Sequence, residues 1–273
     1  MIELTEELVR ARRSVRSFDA APLRPEHLEA LEAYMAAPEN PYGLRIEFRL
    51  LDGKEHGLKS QVLTGARTYA AAKLRRVPHA EEAFGYAFEG LVLLAQSLGI
   101  GTCWIGGTMN REAFAEAMEL GQEELMPCVT PLGYPAEKMS IREGLMRKGV
   151  KADWREDFEK LFFDGSFARP LTREKAGALE WPLEMLRLAP SAVNKQPWRV
   201  LRCHNALHFY EKHGAKGFVS DDTGDLQKVD LGIALCHFDL AARARGLAFE
   251  PSLRDPLIEV PNDLEFIASR IMV

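Results

Sequence analysis

Three polar side chains, Ser191, Asn194 and Gln196, lie in a short segment bracketed by two prolines. Pro197 cannot continue a helix and favours extended backbone at the residue before it. The segment is therefore predicted to leave a helix, turn and enter a strand. In such a turn, hydroxyl and amide groups can point together at a flat ligand rich in heteroatoms. The same residue types also occur at ordinary capped helix ends, so the residues alone leave a ligand-binding turn and a structural turn open.

A cluster of arginines near the start of the chain could bind an anion. Arg12, Ser14 and Arg16 alternate along the sequence, so an extended backbone would place them on one face. Guanidinium groups and a hydroxyl are well suited to a phosphate dianion. Basic runs more often form a solvated surface, which is the alternative at this point.

Glycines follow a long apolar segment in the first part of the chain. Residues 81–98 predict a buried helix, and Gly99 by itself could supply its left-handed end. Gly106 and Gly107 remove two further Cβ atoms, which would let the backbone lie against a planar ring and offer its N–H groups. A plain tight turn is the other interpretation.

These three segments together resemble the FMN-dependent nitroreductase family. Residues 189–198 resemble its Pro-Ser-x-x-Asn-x-Gln-Pro-Trp signature, and residues 12–16 resemble its Arg-Arg-Ser-x-Arg opening. Residues 99–106 are similar to its Gly-Leu-Gly-x-Cys-Trp-Ile-Gly stretch. The resemblance implies an oxidoreductase that moves two electrons from NAD(P)H to an electron-poor acceptor such as a nitroaromatic or a quinone. A flavin-binding carrier or sensor without turnover would carry the same motifs.

The resemblance also implies roles for particular residues around FMN. A basic residue is expected to return to the phosphate from the charged region after residue 136, and Arg155 is the best match, with Arg142 and Arg147 as alternatives. The other residues expected to bind the phosphate are Arg12, Arg13, Ser14 and Arg16. Those expected along the flavin ring or ribityl chain are Trp104, Ile105, Gly106, Gly107, Pro190, Ser191, Ala192 and Asn194. No catalytic side chain is expected.

The order of the motifs predicts an internal duplication. Ala37-Pro38 and Ala189-Pro190 each lie between a helix and a strand, and the apolar helix ending at Gly99 has a counterpart ending at Gly246. Both pairs are separated by roughly 150 positions. We predict an α+β fold with two homologous halves, residues 1–150 and 151–273, each with a mixed, mostly antiparallel sheet wrapped by helices. Because the intact motifs come from both halves, the chain is expected to imitate the family's homodimer as a monomer with one FMN site.

Composition argues against several other classes of protein. A formal net charge of −5 and a pI of about 5.9 give no basic field for nucleic acid or an anionic membrane. The apolar region 87–107 is interrupted by polar residues, which favours a buried helix over a membrane span. The four cysteines have no paired spacing, so free thiols in a reducing cytoplasm are expected.

Histidines do not suggest a metal site in this sequence. His204, His208 and His213 lie around one predicted strand and its turn, with a spacing that is poorly suited to joint coordination. His237 lies on the predicted counterpart helix and is expected to be a buried histidine with hydrogen-bond partners. No metal is therefore expected.

Overall fold

The computed structural model describes residues 3–213 and 217–273. In the first half, helices surround a small sheet. The helices are α1 (Glu6–Ala11), α2 (Pro25–Ala36), α3 (Ala80–Ser97), α4 (Arg111–Ala117) and α5 (Ile141–Gly149). The strands are β1 (Glu47–Asp52), β2 (Thr68–Arg75), β3 (Glu124–Leu125) and β4 (Val129–Leu132). Strand β2 is central and pairs antiparallel with the other three.

The second half is built around a larger sheet. Its helices are α6 (Phe158–Leu161), α7 (Arg173–Ala176), α8 (Glu180–Arg187) and α9 (Leu226–Ala244). Its strands are β5 (Phe162–Asp164), β6 (Ser166–Pro170), β7 (Trp198–Cys203), β8 (Ala206–Lys212), β9 (Val219–Ser220), β10 (Gly224–Asp225), β11 (Phe249–Ser252) and β12 (Leu264–Met272). Six of these strands form a sheet in the order β11-β12-β8-β7-β5-β6, in which only β5 and β7 run parallel. The α+β prediction is confirmed.

Helices α3 and α9 pack against each other at the centre of the molecule. A Cβ atom added at Gly85 would lie 2.0 Å from the carbonyl oxygen of Val229, and one added at Gly232 would lie 2.0 Å from that of Glu82. The two contacts are reciprocal. In each helix, the glycine comes three residues after the carbonyl group that the glycine of the other helix approaches. A twofold axis produces such reciprocal contacts, so this packing supports the predicted duplication.

Both central helices end as the sequence predicts. Gly99 follows α3 with φ 73° and Gly246 follows α9 with φ 69°, which is the left-handed conformation that glycine adopts without strain. A large hydrophobic cluster joins the halves, since Phe84 of α3, Phe238 of α9 and Trp198 of β7 all belong to it. A smaller cluster, which includes Leu93 and Met185, joins them as well. The two halves therefore share one core. In the described part of the chain, no helix combines the length and apolar character needed to cross a bilayer.

Candidate functional site

A cavity of about 590 Å³ receives residues from both halves of the chain. This volume lies in the usual range for small-molecule and cofactor sites. All of the residues expected to bind FMN line it: Arg12, Arg13, Ser14, Arg16, Trp104, Ile105, Gly106, Gly107, Arg155, Pro190, Ser191, Ala192 and Asn194. Of the alternatives to Arg155, Arg147 lines this cavity as well, whereas Arg142 is not among the described residues that do. The fold thus brings the three predicted segments to one place.

The arginine cluster reaches the cavity because the chain becomes extended after α1. Arg12 has φ −62° and ψ 125°, and Ser14 then forms a parallel bridge with Thr102. The bridge places the cluster beside the glycine-containing segment. The extended backbone expected over residues 12–16 is therefore present, and its alternating side chains share one face.

The three arginines of this cluster differ in their partners. The Nη1 atom of Arg13 lies 2.8 Å from Oε1 of Glu143, a side chain of α5 that is 1% exposed. By contrast, no described residue accepts a hydrogen bond from the side chain of Arg12 or Arg16, and Nε of Arg16 is buried. Burial also lowers the pKa of Arg12. Both side chains are partly buried. Guanidinium groups that are partly removed from water without an acceptor are unfavourable, and an anion in the cavity would supply what they lack.

Arg155 is held mainly by the protein itself. Its Nη1 atom donates to the carbonyl oxygens of Ala152 (2.9 Å) and Trp154 (2.8 Å), and its Nη2 atom donates to that of Leu188 (3.2 Å). A longer contact of 3.3 Å reaches Oδ1 of Asn194. Burial, together with the charge of Arg12, lowers the pKa of Arg155 to about 10. Arg155 therefore ties the end of α8 and the following turn to the connector between α5 and α6, residues 150–157. Few of its N–H groups are left for a ligand.

The turn at residues 191–196 is strained and is held by its polar side chains. Val193, Asn194 and Gln196 all have positive φ values, of 43°, 58° and 51°, which non-glycine residues rarely adopt. Oγ of Ser191 accepts the N–H of Gln196 at 2.9 Å, and Nδ2 of Asn194 donates to the carbonyl oxygen of Lys151 at 2.8 Å. These bonds explain how the backbone keeps this shape.

Gln196 does not point at a ligand. Its side chain is buried, and its Oε1 atom accepts the N–H of Glu156 at 2.9 Å. The hypothesis that its amide faces a ligand is therefore wrong, and the structural interpretation holds for this residue. The reason is that the turn folds back over the connector, whose backbone N–H needs an acceptor once it is buried.

The glycine pair leaves free backbone at the cavity wall. A Cβ atom at Gly107 would meet nothing within 4 Å, and one at Gly106 would lie 3.3 Å from Sγ of Cys128. Neither N–H group donates a hydrogen bond to a described residue, whereas the preceding N–H, of Ile105, donates to Val129 at 2.9 Å. Two backbone donors are thus available to a ligand.

A buried polar chain fixes Trp104 at the cavity wall and crosses between the halves. Nε1 of Trp104 donates to Oε2 of Glu89 at 2.9 Å, and Nε2 of His237 lies 2.8 Å from the other oxygen of Glu89. Nδ1 of His237 is in turn 3.1 Å from the carbonyl oxygen of Met185. The expectation of a buried, hydrogen-bonded His237 is confirmed.

Asp230 is a cavity residue that the sequence interpretation missed. Its two carboxylate oxygens lie 2.9 Å and 3.1 Å from the backbone nitrogen of Ala192, and its side chain is buried. Burial raises its pKa well above the ordinary value. The sequence did carry a signal for Asp230, because it is an acidic residue on an otherwise apolar helix face. The apolar residues of that face are Leu226, Val229 and Ile233.

Asp230 should affect stability in two ways, through its hydrogen bond to Ala192 and through its ionisation, and two substitutions should separate these effects. In the cofactor-free protein, Asp230→Ala should lower the free energy of unfolding by about 1–3 kcal/mol, because it leaves the N–H of Ala192 without an acceptor. Asp230→Asn keeps an acceptor oxygen. Because the folded-state pKa of Asp230 lies above its unfolded value, its ionisation should make the wild type lose stability as pH rises above the unfolded value.

Asp230→Asn should therefore gain stability relative to the wild type between pH 5 and pH 8. Urea unfolding of both variants at these two pH values measures the differences. Equal stability of Asp230→Ala and wild type, or a wild-type advantage over Asp230→Asn that grows with pH, would contradict this account.

The fold and the cavity define an α+β protein with a pocket that is lined from both parts of the chain. The particular family follows from sequence, since residues 4–242 match the model of the family described as "Putative TM nitroreductase". The chain belongs to this family. No protein of curated function matches the sequence.

One solved structure has the same fold over almost the whole chain. The crystal structure of a "putative nitroreductase" from Thermotoga maritima is similar over 97% of this chain and 92% of its own, with a TM-score of 0.61 and 20% identity. An FMN-dependent nitroreductase from Clostridium difficile is similar over 50% of this chain and 90% of its own, at a TM-score of 0.43 and 20% identity. A nitroreductase with bound FMN from Bacteroides fragilis is similar over 50% and 92%, at a TM-score of 0.40 and 22% identity.

Proposed function

We propose that this protein is an FMN-dependent oxidoreductase that carries two electrons from NAD(P)H to an electron-poor acceptor such as a nitroaromatic or a quinone. The observation that carries the proposal is the pair of unpartnered guanidinium groups, Arg12 and Arg16, in the same cavity as the free N–H groups of Gly106 and Gly107. Membership of the nitroreductase family supports it.

The residues present fit FMN. Arg12 and Arg16 lack acceptors among the described residues. Three phosphate oxygens would supply them, with the Ser14 hydroxyl as a further donor. The N–H groups of Gly106 and Gly107 would stabilise negative charge on the ring, and the missing Cβ of Gly107 leaves room for it. When bound, FMN supplies the hydride chemistry, and the protein holds and orients it.

We further propose one FMN per chain and a monomer that needs no second copy. The cavity combines the arginine cluster and glycine pair of residues 1–150 with Arg155 and the turn of residues 151–273. In the predicted repeat, Tyr42 is the counterpart of Asn194, and His79 is the counterpart of Leu226. Their rings stack with centroids 5.4 Å apart, which would fill the space of a second flavin.

Flavin content and turnover test this function together. The purified protein should release one FMN per chain on heating, and it should oxidise NADH or NADPH only when a nitroaromatic or quinone is supplied. If NADH or NADPH reduces the bound flavin but no acceptor in a panel supports turnover, the result would favour a carrier or sensor instead. No flavin after incubation with excess FMN would overturn the proposal, and two per chain would overturn the single site.

A further inference from the structure

Three side chains that could bind a metal lie together on the second sheet. Glu211 on β8 and Glu265 on β12 are directly opposite each other in the antiparallel pair. His213 follows Glu211 by two positions, so an extended backbone places both residues on the same face of the sheet. One ligand atom from each residue lies within 4.8 Å of the other two. None of the three is among the described residues that line the cavity above.

Glu211 is a buried carboxylate to which no described residue donates a hydrogen bond of good geometry. Its side chain is 1% exposed, and neither of its oxygens accepts a hydrogen bond from any described residue. Carboxylates directly opposite each other in a sheet also repel. This position is therefore unfavourable unless a cation compensates the two glutamates.

His213 and Glu265 lie where they could share such a cation. Nδ1 of His213 is 3.2 Å from Oε1 of Glu211, and its Nε2 is 3.0 Å from Oε2 of Glu265. The other oxygen of Glu265 is held by Nζ of Lys228 at 2.8 Å. The side chains of His213 and Glu265 are 45% and 42% exposed, so an ion can reach the cluster from solvent.

We propose that Glu211, His213 and Glu265 bind a divalent transition-metal ion of the zinc class. One imidazole nitrogen with two carboxylate oxygens is a donor set that zinc takes in proteins. Ligand atoms around a tetrahedral zinc ion lie roughly 3.3 Å apart. Here the two imidazole nitrogens of His213 lie 3.2 Å and 3.0 Å from one oxygen of each carboxylate. The exposed imidazole ring turns so that one nitrogen faces both carboxylates. The ion joins the end of β8 to β12 and neutralises the buried charge of Glu211.

Zinc binding to the full-length protein tests this site. After treatment with a chelator, the wild type should bind one Zn²⁺ per chain in a calorimetric titration, and its unfolding temperature should rise with the logarithm of free zinc. Glu211→Gln should weaken binding by at least roughly 100-fold, because it removes the charged ligand. His204→Gln is the matched control, since His204 is an exposed histidine in the turn between β7 and β8 and should bind zinc as the wild type does.

Two results would overturn the proposal. The first is a wild type that binds no zinc at millimolar concentration, in which case a protonated His213 alone bridges the two glutamates. The second is equal zinc affinity in the wild type and Glu211→Gln. If Glu211→Gln fails to fold by circular dichroism, His213→Gln replaces an exposed ligand and should show the same loss. Both readouts are independent of FMN binding and of turnover.

Discussion

Replacing Arg12 and Arg16 together by methionine is expected to weaken FMN binding by roughly 10²–10⁴-fold. Each guanidinium should contribute a charge-assisted hydrogen bond to the phosphate, which is typically worth about 1.5–3 kcal/mol. Riboflavin has no phosphate, so its affinity should change little. Titrations of the cofactor-free protein with FMN and with riboflavin, followed by flavin fluorescence, measure both affinities.

Arg142→Met is the matched control for this experiment. Arg142 is an exposed arginine of α5, outside the set of described residues that line the cavity, so its loss should leave both affinities unchanged. A double variant that loses FMN and riboflavin equally would mean that the phosphate lies elsewhere, with Arg147 and Arg155 as the next candidates. The cofactor-free double variant should also be at least as stable as the wild type, because it removes two partly buried charges that do not pair with any described residue.

Substitution of either central glycine by alanine is expected to lower the free energy of unfolding by about 3 kcal/mol, at the upper end of the usual cost of overpacking. The added Cβ at Gly85 or Gly232 would lie 2.0 Å from a backbone carbonyl oxygen of the facing helix. Backbone cannot move aside as a flexible side chain can, so α3 and α9 would have to separate and disturb the shared core. Because the two contacts are reciprocal, the losses should be similar. Urea unfolding of each variant measures them.

Gly144→Ala provides the contrast for these two variants. A Cβ atom at Gly144, in helix α5, would meet nothing within 4 Å, and alanine favours helix over glycine by up to about 1 kcal/mol. This variant should therefore be as stable as the wild type or slightly more so. If Gly85→Ala matched the stability of Gly144→Ala, the close approach of the central helices would not be a requirement of the fold.

Much of the candidate site could be predicted from local sequence. The arginine cluster, the glycine pair and the turn after Pro190 each consist of residues within a few positions of one another, and all of them line one cavity. The ends of α3 and α9 were predictable for the same reason, because a left-handed glycine is a local backbone preference. FMN binding by these residues is still a prediction, which the arginine variants test.

The partners of these residues could not be predicted in the same way. Glu143 pairs with Arg13, and Asp230 accepts the N–H of Ala192, although neither acid is near its partner in the chain. The side chains of Arg155 and Gln196 likewise hydrogen-bond to backbone groups of other segments. Arg155 donates to the carbonyl oxygen of Leu188, and Gln196 accepts the N–H of Glu156. Such pairings depend on which surfaces face each other after folding.

The sequence by itself determined the fold class, the helix ends and the segments that form the cavity, because these follow from backbone preferences and from motifs of neighbouring residues. Only the tertiary structure decided that Arg13 has a partner while the side chains of Arg12 and Arg16 have none among the described residues. It also decided that Glu211 is buried beside Glu265 and His213. Whether a charge is paired depends on groups that folding brings together from distant parts of the chain, and on how much water the same packing excludes.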